Sequence, residues 1–388
     1  MTERDESVGK ERDRLAQHAA YLRAQHNFSQ EEIGKLLGGV SQSHVSRLLA
    51  YATELGWLVT ELRFDERNIS SEAMREIEHL LQPRGLVAYF ERVRVETGRV
   101  TPNVRVFDSG SESSTAGAFE IRCRRFGRSA SGRLEELLRQ SSCVGVTWGR
   151  TVSSLIDGLA AANRSFRAEQ PIAVVPVSAE LITLAAPDYS SSLLATRLNA
   201  VVNHGHGEKL RLAGVPAYIP RRYDEAKTKA IREYILDTAS YRQIFGADRP
   251  LINLIDMVVT SVGSGDRPLG GAMEEILSAG DISVGELKRL IIGDVGGVLI
   301  PKPSLSEDER QLVDNLNAMW TGITKEHISR LALRSGQSGG GAGVVVAAIG
   351  KERAEIIAEM VRLEMVNELI IDWGLANALE ESFRSSSH

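Results

Sequence analysis

From residue 132 to the C terminus, amphipathic helical segments alternate with short apolar runs, and this alternation restricts the fold more than any other feature. GRLEELLRQ (132–140) precedes CVGVTWG (143–149), and TVSSLIDGLAAA (151–162) precedes IAVVPV (172–177). SSLLATRLNAVV (191–202) is followed by a polar loop and VPAYIP (215–220). The pattern resumes through LINLIDMVVTSVG (251–263), GELKRLII (285–292), HISRLAL (327–333), GVVVAAIG (343–350), KERAEIIAEMVRLEM (351–365) and NELIIDWG (367–374). Parallel strands need helical crossovers, so repeated strand–helix units predict an α/β domain with a Rossmann-like, mainly parallel sheet. No repeat of fixed period interrupts it.

The N-terminal segment is built differently. ERDRLAQHAAYLRAQH (11–26) places Leu15, Ala19 and Leu22 at helical spacing. Ser29 followed by Glu32 forms a capping box ahead of a buried stripe of Ile33, Leu36 and Leu37. Gly38-Gly39 ends that helix, and Ser41 caps the next, with Val45, Leu48 and Leu49 facing inward. WLVTELRF (57–64) alternates as a β-ribbon would. A generic helical bundle would share the helices. The caps, the glycine turn and the ribbon at these offsets instead predict a winged helix-turn-helix. A capped amphipathic segment, SSEAMREIEHLLQPRGL (70–86), then links to a sheet-like stretch, LVAYFERVRVE (86–96). The expected organisation is a DNA-binding domain over 1–63, a linker or oligomerisation helix over 64–86, an α/β effector domain over 87–383 and a disordered tail over 384–388. SGQSGGGAG (335–343) reads as a flexible loop.

Composition narrows the classes. With 388 residues, 43% hydrophobic and 25% charged, the chain can bury a sizeable core. A net charge of −5 excludes a generally basic coat but leaves room for a compact DNA-binding face. The only cysteines, Cys123 and Cys143, form neither a disulfide framework nor a zinc motif and read as buried apolar positions. The charged N terminus lacks an apolar signal region, and no apolar run is long enough for a membrane span. A cytoplasmic protein without a cofactor is expected.

Ser41, Gln42, Ser43, His44, Ser46 and Arg47 start the predicted recognition helix, where side chains meet base edges and phosphates of double-stranded DNA. Gln42 suits adenine and Arg47 suits guanine or a phosphate. Arg14, Arg23 and Lys35 are further candidates for the DNA backbone. A second site is suggested by GVTWGRT (145–151). Gly145 and Gly149 would let backbone amides approach a ligand, while Thr147, Thr151 and Arg150 offer hydroxyls and a charged fork. A helix starting near Val152 would turn its positive end toward an anion. Gly263 and Ser264, the GDVGG stretch (293–297), the loop after VVVAAIG and Asp372 mark further strand ends of the kind that line ligand crevices in open α/β sheets.

Taken in order, SQEEIGKLLGGVSQSHVSRLLAYATELGWL, CVGVTWGRTV, IIGDVGGVLI and VVVAAIGKERAEIIAEMVRLEMVNELIIDWGLANALEE resemble the SorC family of sugar-binding transcriptional regulators. The resemblance spans nearly the whole chain. It implies a winged helix-turn-helix joined to an effector domain of the sugar-phosphate isomerase type, in a homodimer or homotetramer that binds an operator and a phosphorylated sugar. It places Gly145, Thr147, Gly149, Arg150 and Thr151 against the effector phosphate, with Gly263 and Ser264 at another pocket edge. Asp372 would accept hydrogen bonds from sugar hydroxyls, and Arg353 stands where the family commonly has Lys. Several positions depart from the family pattern: Ile349-Gly350, Ile371, Trp373, Gly297 and VSAEL (177–181). Fewer hydroxyl-reading groups point to a less polar metabolite, or to a pocket with a structural role. The function expected is a non-enzymatic, effector-responsive DNA-binding regulator. The alternatives are a sugar-phosphate isomerase- or transferase-like enzyme, for which Glu180 is the candidate carboxylate, and a ligand-independent DNA-binding scaffold.

Overall fold

The computed structural model describes residues 3–26, 28–58, 83–110, 117–162, 170–180, 189–204, 218–221, 223–246, 248–265, 271–338 and 341–385. In chain order the helices and strands begin with α1 (Glu3–His26), α2 (Gln30–Leu36), α3 (Gln42–Glu54), α4 (Arg84–Thr97), β1 (Asn103–Phe107), α5 (Ala118–Arg139) and β2 (Cys143–Val146). They continue with α6 (Arg150–Ala162), β3 (Ala173–Pro176), α7 (Ser191–Val202), α8 (Glu225–Asp237), α9 (Ala239–Phe245), β4 (Met257–Thr260), β5 (Val262–Ser264) and α10 (Gly271–Ala279). The last are α11 (Val284–Leu290), β6 (Ile291–Val295), β7 (Val298–Pro301), α12 (Glu307–Asn317), α13 (Lys325–Ser338), β8 (Gly343–Ala348), α14 (Ala354–Arg362), β9 (Glu368–Asp372) and α15 (Trp373–Ser385). The chain divides into two compact units, Met1–Ile77 with Glu112–Ile121, and Glu78–Ser111 with Arg122–His388.

The first unit contains α1, α2 and α3. Its core is made by Ala16, Ala19, Ala20, Ile33, Val45, Leu48, Leu49 and Ala52. The three alanines of α1 leave room for the larger residues of α3. Ser29 and Glu32 form the expected capping box, and the Ser41 side chain accepts from the His44 amide. Gly38 and Gly39 both adopt positive φ, +86° and +87°, which turns the chain sharply between the two helices. Only Trp57 and Leu58 of the expected wing lie within the described residues.

The second unit is built on a six-stranded sheet in the order β1-β9-β8-β4-β2-β3, with every pairing parallel. Strands β2, β4, β8 and β9 are buried along their whole length, as expected for a parallel sheet covered on both faces. Val344, Val346, Leu369 and Ile371 share one core with Leu86, Phe90, Leu375, Leu379 and Phe383. A separate three-stranded antiparallel sheet, β5-β6-β7, carries the GDVGG turn.

Four expectations are corrected. Residues 86–96 form helix α4 rather than sheet: Leu86 and Phe90 are buried one turn apart, and Gly98 closes the helix at φ +68°. The segment's aromatic and β-branched residues imitate a strand, but Tyr89 and Phe90 pack against Phe383 of α15 while Val95 is exposed. The glycine-rich stretch begins as helix, since α13 runs to Ser338. Gly336 sits where a Cβ would lie 2.6 Å from the Val100 side chain, so glycine here permits close packing. Arg384 and Ser385 belong to α15 rather than to a tail; Arg384 pairs with Glu380, and the Ser385 hydroxyl donates to the Glu381 carbonyl. Gly263 and Ser264 lie in the antiparallel sheet, paired with Asp294 and Gly293, not at the end of a parallel strand. The proposed linker helix falls outside the described residues up to position 82, and Pro83 then opens α4.

Candidate functional site

In the first unit, α3 buries Val45, Leu48, Leu49 and Ala52, and turns the rest of its first two turns to solvent. Ser41, Gln42, Ser43, His44, Ser46 and Arg47 are all exposed. The Ser41 and Ser43 hydroxyls lie 3.2 Å apart, and Arg47 Nε donates to the Ser43 carbonyl at 3.4 Å. The helical period thus separates the core stripe from a polar face. The other basic candidates are already engaged. Arg14 pairs with Glu11 at 2.7 Å, Lys35 pairs with Glu31 at 2.8 Å, and Arg23 donates to the Phe28 carbonyl. Exposed pairs of this kind contribute little.

In the second unit, β2 lies between β3 and β4. The chain leaves β2 toward one sheet edge and β4 toward the other. Their carboxyl ends therefore form the switch point at which open α/β sheets hold ligands. Thr147, Trp148 and Gly149 leave β2 there, and Arg150 opens α6. Gly149 has φ +140°, and a Cβ on it would come within 2.0 Å of the Ser261 hydroxyl. Its amide donates to the Tyr189 carbonyl at 3.2 Å. Thr147 is buried and donates to the Thr260 hydroxyl at 2.9 Å, tying the two strand ends together. Thr151 is buried in the first turn of α6, whereas Arg150 is exposed.

Arg353 brings a second guanidinium to this end of the sheet. It donates to the Val262 and Ile349 carbonyls and pairs with Glu352 at 2.7 Å. Burial pulls its pKa below the usual arginine value, opposed by Glu352, and the nearby Arg150 charge adds to the lowering. An anion held between these two cations would relieve their repulsion.

Two other expected residues have different roles. The space beside Gly145 is filled by Val258, Ile255 and Val177, so the missing side chain serves sheet packing and not ligand approach. Asp372 is buried and its carboxylate is fully engaged. One oxygen accepts from Ser109 Oγ and Arg122 Nη2 at 2.8 and 2.7 Å; the other accepts from the Gly350 and Leu375 amides at 3.1 Å. It caps α15 and neutralises Arg122, which leaves no acceptor position for a sugar hydroxyl. Glu180 accepts from the Ser192 amide at the start of α7.

Several residues at this end of the sheet were not singled out by sequence reasoning as ligand-facing. Thr260 and Ser261 follow the apolar run of β4, and only the β2–β4 pairing brings them to Thr147 and Gly149. Asp294 was visible in GDVGG. It lies beside Gly263, accepts from the Gly297 amide at 3.2 Å, and is pushed up to about 6 by burial. Trp320 packs edge-on against Trp148 at 6.0 Å and meets Tyr218 at 5.5 Å. Both cysteines are buried, and burial pushes the Cys143 thiol up to about 12. Among the described residues no helix is long and apolar enough to cross a membrane, and no cluster of His, Cys, Asp and Glu could hold a metal ion.

No family model and no curated protein matches the chain. Solved structures do match. The full-length sorbitol operon regulator SorC from Klebsiella pneumoniae has a TM-score of 0.53 at 17% identity, covering 95% of this chain and 99% of that one. A probable sor operon regulator from Shigella flexneri gives 0.52 at 17% identity, covering 76% and 98%. A transcriptional regulator from Streptococcus pneumoniae TIGR4 gives 0.52 at 16% identity, covering 81% and 98%. The likeness is one of fold.

Proposed function

We propose that the chain is an effector-responsive transcriptional regulator of the SorC type, acting in the cytoplasm as a homodimer or homotetramer. Within its first unit, a DNA-binding module over about residues 1–63 reads an operator through Ser41, Gln42, Ser43, His44, Ser46 and Arg47. Its second unit senses a small anionic, phosphorylated metabolite at the β2–β4 switch point, held by Arg150, Thr151 and Arg353, with Thr147, Gly149, Gly263 and Ser264 shaping the edge. The observation that carries this reading is the pairing, in one chain, of an exposed polar face on α3 with two guanidinium groups at the ligand end of an open parallel sheet. The fold-related proteins are described as regulators, which supports a sensor over a catalyst. The test is fluorescence anisotropy on the DNA upstream of the chain's own gene across a salt series. Sequence-specific, salt-dependent binding is expected, and Arg47→Ala should weaken it by about 1–3 kcal/mol if Arg47 reads a base. Binding with no preference over scrambled DNA would refute the reading.

A further inference from the structure

Immediately before Gly149 and Arg150, the chain leaving β2 carries an aromatic corner. Trp148 follows β2 and is only 6% exposed. The rings of Trp148 and Trp320 cross at 75°, and Tyr218 leans on Trp320 from another side. Gly297, at φ +99°, brings bare backbone to them: a Cβ there would lie 3.6 Å from Trp148 Cζ2 and 3.9 Å from Trp320 Cε3. The Nε1–H of Trp320 is buried and has no acceptor. An indole N–H removed from water normally finds a partner, because leaving it unpaired is costly.

Several polar groups at this end of the sheet are already engaged. Thr147 bonds Thr260, Ser178 donates to the Gly296 carbonyl, Ser261 donates to the Trp148 carbonyl, and Asp372 holds four donors of its own. Asp294 accepts from the Gly297 amide behind the turn. A polyhydroxylated sugar entering here would lose water from hydroxyls that find few partners.

We propose that the effector is an anion whose uncharged part is a planar, weakly hydroxylated ring that packs on the Trp148–Trp320 corner and places an acceptor atom on Trp320 Nε1. This rests on the anion-sensing reading above and specifies its ligand class. Planar rings gain most from aromatic walls, and an acceptor on the ring satisfies the orphan donor.

Calorimetric titration of the full chain with 4-nitrophenyl phosphate, glucose 6-phosphate and inorganic phosphate tests it. The nitrophenyl ester should bind at least about tenfold more tightly than the sugar ester, a difference of the size one satisfied donor plus ring contact supplies. Trp320→Phe, which keeps a ring and removes the N–H, should narrow that preference by about fivefold. Glucose 6-phosphate affinity on the same sample controls for folding. Equal or tighter binding of glucose 6-phosphate, or a preference unchanged in Trp320→Phe, overturns the ligand class and leaves the anion site standing. If none of the three ligands binds, the anion site itself fails and the inference falls with it.

Discussion

At Asp372 a single carboxylate joins three parts of the second unit. It ends β9, caps α15 through the Leu375 amide, fixes the Gly350 amide after β8, and neutralises the mostly buried Arg122. Removing one member of a buried ion pair leaves the other uncompensated. Asp372→Asn should therefore lower unfolding free energy by about 3 kcal/mol, measured by urea denaturation, because Arg122 loses its counter-charge. If Asp372 served mainly to read a ligand, the variant would unfold like the wild type and lose only binding. Its position before WG is plain in the sequence. Its partners are not, since Ser109 and Arg122 lie more than 200 residues away and reach it only through the β1–β9 pairing.

Element packing depends on small residues where α5 meets α6. Gly127 of α5 and Gly158 of α6 lie so close that a Cβ on Gly158 would come within 2.1 Å of the Gly127 carbonyl oxygen. A Cβ on Gly127 would meet the Ser154 carbonyl at 2.0 Å. Because the obstacle is main chain, neither helix can yield by changing a rotamer. Gly158→Ala should cost about 1–3 kcal/mol, read as a lower thermal midpoint. In the first unit, Gly34 of α2 makes room instead for the turn that follows its own helix, where a Cβ would come within 2.2 Å of the Val40 carbonyl oxygen.

Helix α13 has a cap that depends on pH. The Thr324 hydroxyl accepts from the His327 amide, while the Thr324 amide donates to His327 Nδ1 at 3.2 Å. Only neutral imidazole can accept there. Burial lowers the His327 pKa, and the neighbouring Arg330 lowers it further, against a weaker pull from Glu326. The stability conferred is therefore complete above the unfolded value of about 6.5 and is lost as pH falls through the lowered native value. His327→Gln should flatten this part of the stability–pH curve. An unchanged slope below pH 6.5 in the variant would refute the assignment.

Across the whole molecule, the exposed face of α3 proposed to read DNA and the β2–β4 switch point proposed to hold an anion belong to different compact units. A regulator requires that they be coupled, with the effector binding one operator-affinity state better than the other. A shift in operator affinity equivalent to about 1–3 kcal/mol is expected on saturation with a bound phosphate ester. Arg150→Gln should abolish the shift, and Arg47→Ala should weaken operator binding while ligand affinity persists. Loss of both activities in each variant would indicate general destabilisation and not two separable sites.

What the sequence determined by itself is local in origin. The Ser29–Glu32 capping box, the Ser41 cap, the Gly38-Gly39 turn and the alternation of apolar runs with amphipathic helices depend on neighbours a few residues apart. From them follow the tri-helical unit, the parallel α/β sheet and the candidate ends at Gly149 and Arg150. The segment at 86–96 misled because aromatic and β-branched residues suit a strand and a packed helix alike, and only burial of Leu86 with Phe90 distinguishes them. Tertiary structure alone decided which polar groups remain for a ligand. Asp372 is taken by Arg122, Gly145 by the packing of Val177, Ile255 and Val258, and Trp320 Nε1 is left unpaired. The physical reason is that a hydrogen bond is satisfied by whatever comes within 3.5 Å, and in a parallel sheet that partner is set by strand order, which local sequence does not encode.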